Sequence, residues 1–362
     1  MPGAPLFGYP PIYYPNTTDF SAASPIVVRA GETAQLNFAV ARRQYYPVHI
    51  PVANPPAAGG INLNVHPMGH PSPGWSLGYN PADEAIEGTL PDGTYTVEAN
   101  EFGEPHLSGI VNFNVRGAPA ESSPLRLIPN TPLTVTVREE FTSEQNGPQM
   151  MIMNPNGSRR MPDVNVSLIS MEEFESFGGF NRTRPAEGSD EHTLLLENVG
   201  PGRYKVRVAS SRDYAASIES GGADLLHQPL VVGLGGGTPP IEITMRDDGG
   251  EVSGTVEGAK DAGLNPQAGD ANRPFRFVYL LPLGDSFLEY PPMTQFQGEA
   301  FSLPEVPPGT YLVLVYPDTP VDLPYGDDEA VQALKNKGQI IQVEPGQKTS
   351  VRVRMATDGE GE

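Results

Sequence analysis

The sequence predicts an all-β chain, a tandem array of Greek-key β-sandwich modules with few short helices, and three observations carry that reading. One motif recurs at a domain-sized period, apolar residues alternate with period two around it, and 40 glycines and 40 prolines punctuate 362 residues that are still 38% hydrophobic. Short strands joined by tight turns satisfy all three, because alternation buries one face of each strand while Gly and Pro turn the chain between them.

The recurring motif is "LPDGTYTVEA" (90–99), "VGPGRYKVRV" (199–208) and "VPPGTYLVLV" (306–315). Each copy starts on an apolar residue and places Gly at +3 (Gly93, Gly202, Gly309) and Tyr at +5 (Tyr95, Tyr204, Tyr311), with small or apolar residues at +7 and +9. The glycines lie 109 and 107 residues apart. From each tyrosine onward one face is apolar, as Tyr204, Val206 and Val208 alternate with Lys205 and Arg207. The motif is therefore a turn followed by the returning strand of a β-hairpin. Its glycines and tyrosines are expected to serve stability rather than activity.

A second unit closes the modules. "IVVRAGETAQLNFAV" (26–40) and "IIQVEPGQKTSVRVRM" (340–355) both set Val three before Gly and alternate apolar residues after it, with looser versions at 230–245 and in "LTVTV" (133–137). On this register residues 1–40 are the closing strands of an incomplete module, followed by modules at 41–140, 141–247 and 248–356 and an acidic tail at 357–362. The lone half-module is a candidate donor segment for homo-assembly with other chains. Helix is expected at 326–338, with acids in its first turn, lysines in its last and Gly338 as its stop. A shorter helix is expected at 171–177, and both read as loop decorations.

The formal charge of −21 argues against a nucleic-acid partner, which selects for Lys and Arg, and fits a soluble, self-repelling chain. The absence of cysteine excludes disulfides, thiolate metal sites and cysteine nucleophiles. No apolar run reaches the length of a membrane span. The N-terminus shows neither the basic nor the apolar region of a signal peptide, so the expectation is a secreted or cell-surface protein whose signal is missing from this chain.

"GEVSGTVEG" (250–258), "LPEVPPGTYLVLVY" (303–316) and the module length resemble the carboxypeptidase regulatory-like domain, a prealbumin-like or Ig-like β-sandwich related to the B-type repeats of bacterial adhesin stalks. The second module, with "NVGPGRYKVRV" and "IEITMRDDGGEVSGTV", is similar to tandem arrays in large secreted proteins of soil bacteria such as acidobacteria. The first module departs furthest. The resemblance implies a seven- or eight-stranded sandwich, export, and a supporting or binding role. Adhesin repeats often carry a Lys–Asn cross-link, but of Lys205, Lys260, Lys335, Lys337 and Lys348 none falls on an inward strand position, so none is expected.

Catalytic motifs are missing: no Gly-x-Ser-x-Gly, no His-Glu-x-x-His, no phosphate-binding loop, and no histidine followed by Glu at +3. His66 and His70 are spaced as ligands on a helix, but Pro67, Gly69 and Pro71 forbid one there. "RDDGGE" (246–251) and "YGDDE" (325–329) pair carboxylates that could take calcium without spelling a calcium loop. They read instead as a linker turn and a helix start. Met150, Met151, Met153 and Met161 read as strand packing. Sequons begin at Asn16, Asn156, Asn165 and Asn181.

Trp75, the only tryptophan, and Tyr79 lie in a Gly/Pro/Ser loop. They are the candidate ligand-binding residues, either as an aromatic platform for a sugar or, with Trp75 as a lid, folded over their own sandwich. The expected function is a non-catalytic extracellular scaffold or adhesion protein whose partners are other chains or surface glycans, without a required cofactor. The alternatives are a carbohydrate-binding array and a carboxylate-based hydrolase.

Overall fold

The structure is a computed structural model that describes residues 5–28, 32–56, 60–69, 72–101, 103, 105–142, 150–154, 157–161, 164–171, 182–186, 192–210, 214–257, 275–283, 291–317, 323 and 328–355. Residues 172–177 of the helix expected at 171–177, His70, Lys260, the sequons at Asn156 and Asn181, residues 325–327 and the acidic tail lie outside the described residues. The fold is all-β, as the alternation predicts.

Residues 5–130 contribute β1 (Leu6–Gly8), β2 (Arg43–Ala53), β3 (Asn62–Pro67), β4 (Gly78–Asn80), β5 (Ala85–Pro91), β6 (Gly93–Glu101), β7 (Leu107–Val115), β8 (Ala120–Glu121), β9 (Leu125–Arg126) and β10 (Ile128–Pro129). One sheet runs β1-β2-β5-β4 with β8 and β9 alongside β2, and the facing sheet runs β10-β7-β6-β3. Val48, Ile50, Ile86, Val97 and Leu125 fill the space between them.

Next come β11 (Leu133–Glu140), β12 (Met150–Asn154), β13 (Gly157–Met161), β14 (Asn165–Ser170), β15 (Arg182–Pro185), β16 (Thr193–Glu197), β17 (Gly202–Ala209), β18 (Tyr214–Ser220), β19 (Ala223–Asp224), β20 (Leu230–Val232) and β21 (Ile241–Arg246). The sheet β15-β16-β11-β21-β18-β19 packs on β14-β17-β20 around Val135, Val166, Leu194, Leu196 and Ile241. The methionine-rich segment forms the separate hairpin β12-β13.

The last core is built by β22 (Gly250–Glu257), β23 (Arg276–Pro282), β24 (Met293–Phe296), β25 (Ala300–Val306), β26 (Gly309–Tyr316), α1 (Asp328–Ala333), β27 (Gln339–Val343) and β28 (Lys348–Arg354). Sheets β25-β22-β28 and β24-β23-β26-β27 enclose Val252, Val278, Val313 and Val353.

One topology therefore recurs. The first strand lies antiparallel to the strand before the Gly-x-Tyr turn (β2–β5, β11–β16, β22–β25) and parallel to a strand near the module's end (β8 and β9, β21, β28). The strand after the turn (β6, β17, β26) sits inside the opposite sheet.

Three expectations need correction. "LTVTV" at 133–137 does not close the first module: Leu133, Val135 and Val137 belong to the second core, and β11 pairs with β16 and β21. First and last strands are parallel neighbours buried on the same face, so both carry the same alternation and sequence alone places the boundary on the wrong side of one of them. Residues 26–40 do not form closing strands either: residues 26–28 and 32–40 are outside any strand, with Val27 82% and Val40 61% exposed. A closing strand is held by the first strand of its own module, and among the described residues before 26 the strand present, β1, pairs with β2.

The third correction concerns the helix at 326–338. It forms as α1 and a 3-10 turn at Lys335–Lys337, but Gly338 ends it in an extended conformation (φ −139°) rather than a left-handed one. A Cβ there would lie 2.3 Å from the Val313 carbonyl oxygen, so close approach to β26 is what demands glycine. Nor is α1 a decoration. Val331 seals the outer face of its sheet with Tyr279, Leu281, Leu312, Leu314 and Tyr316, which is why β23 and β26 are apolar on both faces.

On the outer face of β3-β6-β7, Asn64 Nδ2 donates to Glu98 at 3.1 Å and His66 Nε2 lies 3.6 Å from the same carboxylate. The bond from His66 holds Glu98 below its ordinary value of 4.5 against the opposing effect of burial, with Asn64 adding to it. A carboxylate depressed in the folded state stabilises the fold above its ordinary pKa and loses that contribution as pH falls through the folded value. Denaturation of the full chain between pH 6 and pH 3 is expected to show acid destabilisation below about 4.5 that Glu98→Gln reduces. An unchanged pH profile in that variant would contradict the assignment.

Candidate functional site: tyrosine corners and inter-module joints

The repeated Gly-x-Tyr motif forms the same device three times. The tyrosine hydroxyl reaches back over the turn and donates to the carbonyl four residues upstream, Tyr95 to Pro91 at 3.0 Å, Tyr204 to Gly200 at 2.9 Å and Tyr311 to Pro307 at 2.7 Å. It is the local geometry of a tyrosine corner. The phenol ring crosses the glycine two residues before it: a Cβ on Gly93, Gly202 or Gly309 would sit 3.0, 3.3 or 3.4 Å from the tyrosine side chain. Glycine is thus set by the ring, and the ring by the carbonyl it satisfies. Burial pushes the hydroxyls of Tyr95 and Tyr311 well above the usual phenol range.

In the second and third modules the corner lies against what precedes it in the chain. The Gly200 position of the Tyr204 corner faces Ser108 Oγ and Asn100 Oδ1 of the first module, within 3.6 and 3.9 Å of a Cβ built there. The neighbouring Gly236 approaches Thr131 in the connection, where a Cβ would be 2.8 Å from the hydroxyl. At the next joint, Tyr214 of β18 is close enough to Tyr311 to add to the rise in its pKa.

That second joint is built from "RDDGGE". Asp247 Oδ1 accepts both the backbone N–H of Thr142 (2.6 Å) and its hydroxyl (2.9 Å). Asp248 accepts from the Tyr214 hydroxyl at 2.8 Å and from the Arg246 guanidinium. Burial, then the bond to Asp248, pushes the Tyr214 phenol up. The Asp248 carbonyl takes the N–H of Gly346 in the third module at 2.7 Å, and a Cβ on Gly249 would meet the Glu305 backbone at 2.9 Å. The linker is held by side chains from one module and by backbone from the next. A cleft of about 280 Å³ remains beside it, bordered by Tyr214, Arg246 and Asp247 on one side and Met293, Pro304 and Glu305 on the other. The Asp247 and Asp248 carboxylates, the candidate calcium pair, accept the bonds that hold this joint. Among the described residues no group of three or more His, Asp or Glu side chains is arranged to hold a metal ion.

The first module has its own corner cover. Trp75 packs edge-to-face on Tyr95 with centroids 5.4 Å apart, its indole N–H donates to Ser72 Oγ at 3.0 Å, and with Tyr79 it is half-buried against the first core. The segment before β2 arrives at the same end: Tyr13 donates to the Pro73 carbonyl at 2.8 Å, and a Cβ on Gly74 would touch Pro11 at 2.9 Å. Trp75 thus shields the Tyr95 corner with its own ring, engaged on one face and at its nitrogen. Trp75→Ala is expected to lower the stability of the first module by about 2 kcal/mol, read by chemical denaturation followed by circular dichroism; no loss would contradict this packing role. Tyr79 lies in β4, paired with Ile86.

Sequence reasoning singled out Gly93, Tyr95, Gly202, Tyr204, Gly309 and Tyr311 as a unit but missed Thr142, Tyr214 and Gly346, whose partners are 105, 34 and 98 residues away. The doubled aspartate was the one visible sign of the joint. Lys205 lies on the outward face of β17 and Lys348 pairs with Glu251 at 2.8 Å.

No protein-family model matches the chain, and no curated protein matches it in sequence. Among solved structures it is similar to the Bacillus anthracis TIE protein, at 10% identity over 87% of this chain and 54% of that one with a TM-score of 0.21. It is similar too to a Streptococcal ancillary pilin, at 9% identity over 86% and 99% with a TM-score of 0.20. The major pilin T-13 of Streptococcus pyogenes follows at 11% identity over 56% and 97%, with a TM-score of 0.22. The chain spans about half the length of the first of these. A likeness this slight assigns no role to any residue, and the functional reading rests on the geometry above.

Proposed function

We propose that this protein is a non-catalytic scaffold or adhesion protein of the cell surface or extracellular space, in which tandem β-sandwiches hold a fixed spacing between attached partners. The observation that carries this reading is the bonded joint at 246–250, where Asp247 and Asp248 fasten the linker to one module while Gly249 and the Asp248 carbonyl seat it on the next. A flexible linker would be rich in solvated Gly and Ser and leave the modules independent; this one spends its polar groups on both neighbours. The corners extend the same logic, since the residues that repeat at the module period are spent on packing and on satisfying the backbone.

No helix of the described residues is long and apolar enough to cross a membrane, and residues 1–40 are proposed as the self-assembling part. Small-angle scattering of the full chain tests the spacing role: an elongated particle whose maximum dimension is insensitive to salt is expected. A profile that only a freely jointed ensemble can fit would overturn the reading.

A further inference from the structure

Resting on that scaffold reading, residues 32–41 stand out as a segment with strand-like alternation that joins no sheet. Leu36, Phe38 and Val40 alternate with Gln35, Asn37 and Ala39 and are 38%, 44% and 61% exposed. Such a row is costly to leave in water; within the chain Ala39 N–H donates to Asn16 Oδ1 at 2.6 Å and Phe38 meets Tyr14 edge-on. In the chain the segment occupies the place of a module's last strand. Residue 40 stands three before the start of β2, as β21 ends at Arg246 four before β22.

The acceptor is legible from the repeat. In the second module the outer edge of the last strand, β21, is covered by β18, which runs antiparallel to it and delivers Ile218, 2% exposed, into the core. In the third module β28 holds the equivalent place, pairs along all seven residues with β22, and has no strand on its outer edge among the described residues. The opposite edge of that sheet, β25, is blunted by Pro304, by Glu305 at φ 57° and by a register shift.

We propose that residues 34–41 of one copy add antiparallel to the outer edge of β28 in a second copy, as β18 does to β21 within one chain. The register that sets Leu36, Phe38 and Val40 opposite Val353, Val351 and Thr349 places the apolar row on the core side and brings Ala34 to Met355. It also sets the uncharged Gln35 and Asn37 beside Arg354 and Arg352, whose side chains are 87% and 75% exposed. Charge selects this occupant over a symmetric β28–β28 pair, which would bring Lys348, Arg352 and Arg354 of two copies together. The contact is head-to-tail, so it propagates into open chains unless the rotation closes a ring.

The test uses the full chain, which contains no native cysteine. Copies carrying Asn37→Cys and copies carrying Arg352→Cys are mixed under mild oxidation, with Asn37→Cys plus Glu121→Cys as the reference pair. Docking raises local thiol concentration, so the first pair is expected to form its mixed disulfide about tenfold faster than the reference. Adding Phe38→Asp to the Asn37→Cys chain is expected to return the rate to reference without changing the thermal transitions, because Phe38 lies outside every core. Equal rates for the two pairs, or preferential Asn37→Cys self-pairing, would overturn the proposal. Either result would leave the spacing role, which scattering tests separately, untouched.

Discussion

Tyr311→Ala is expected to lower the stability of the third module by about 3–5 kcal/mol, the largest effect of any single substitution considered. The ring is 2% exposed and packs with Val313, Val315 and Ile341, so truncation opens a cavity in the core. It also strips the Pro307 carbonyl of its donor. Tyr311→Phe keeps the ring and removes only the hydroxyl, at a cost of about 1 kcal/mol. The gap between the two variants separates packing from the corner bond, and differential scanning calorimetry of the full chain reads both. A Phe variant as damaging as the Ala variant would show that the hydroxyl, not the ring, organises the turn. Tyr95 and Tyr204, which make the same bond, are expected to show the same ordering.

The second large effect is on shape. Asp248→Ala removes the acceptor of both Tyr214 and Arg246 at the second joint. Loss of the partly buried tyrosine bond costs about 1 kcal/mol, enough to move a domain of this size by several degrees. The sharper consequence is mechanical: with Asp248 no longer fastened to β18, the linker keeps only the Asp247 bonds to Thr142 and its backbone seat on the third module. Scattering is expected to show a broadened distance distribution, and limited proteolysis a new cleavage between 246 and 250, with each core's hydrogen-exchange protection retained. An unchanged profile would mean that Gly249 and the cleft-lining contacts hold the joint without Asp248.

The sequence by itself determined the class, the period and the recurring Gly-x-Tyr turn; the corner bond needed the structure. Alternation after Tyr95, Tyr204 and Tyr311 states which face is buried, and a motif repeated at domain spacing states that the same packing problem is solved three times; both are local facts of chain chemistry. The candidate site was half legible. "RDDGGE" and Trp75 were visible as unusual residues, but the partners that explain them, Thr142, Tyr214, Gly346 and Tyr95, are remote in the chain, and a doubled carboxylate reads equally as calcium ligand, linker or joint until they are in place. Tertiary structure alone decided that β11 opens the second module rather than closing the first, that Gly338 is demanded by β26, and that residues 32–40 lie outside any sheet. In the first two cases the deciding interaction is a backbone approach between segments far apart in sequence, and no side-chain pattern encodes which neighbour a strand will find.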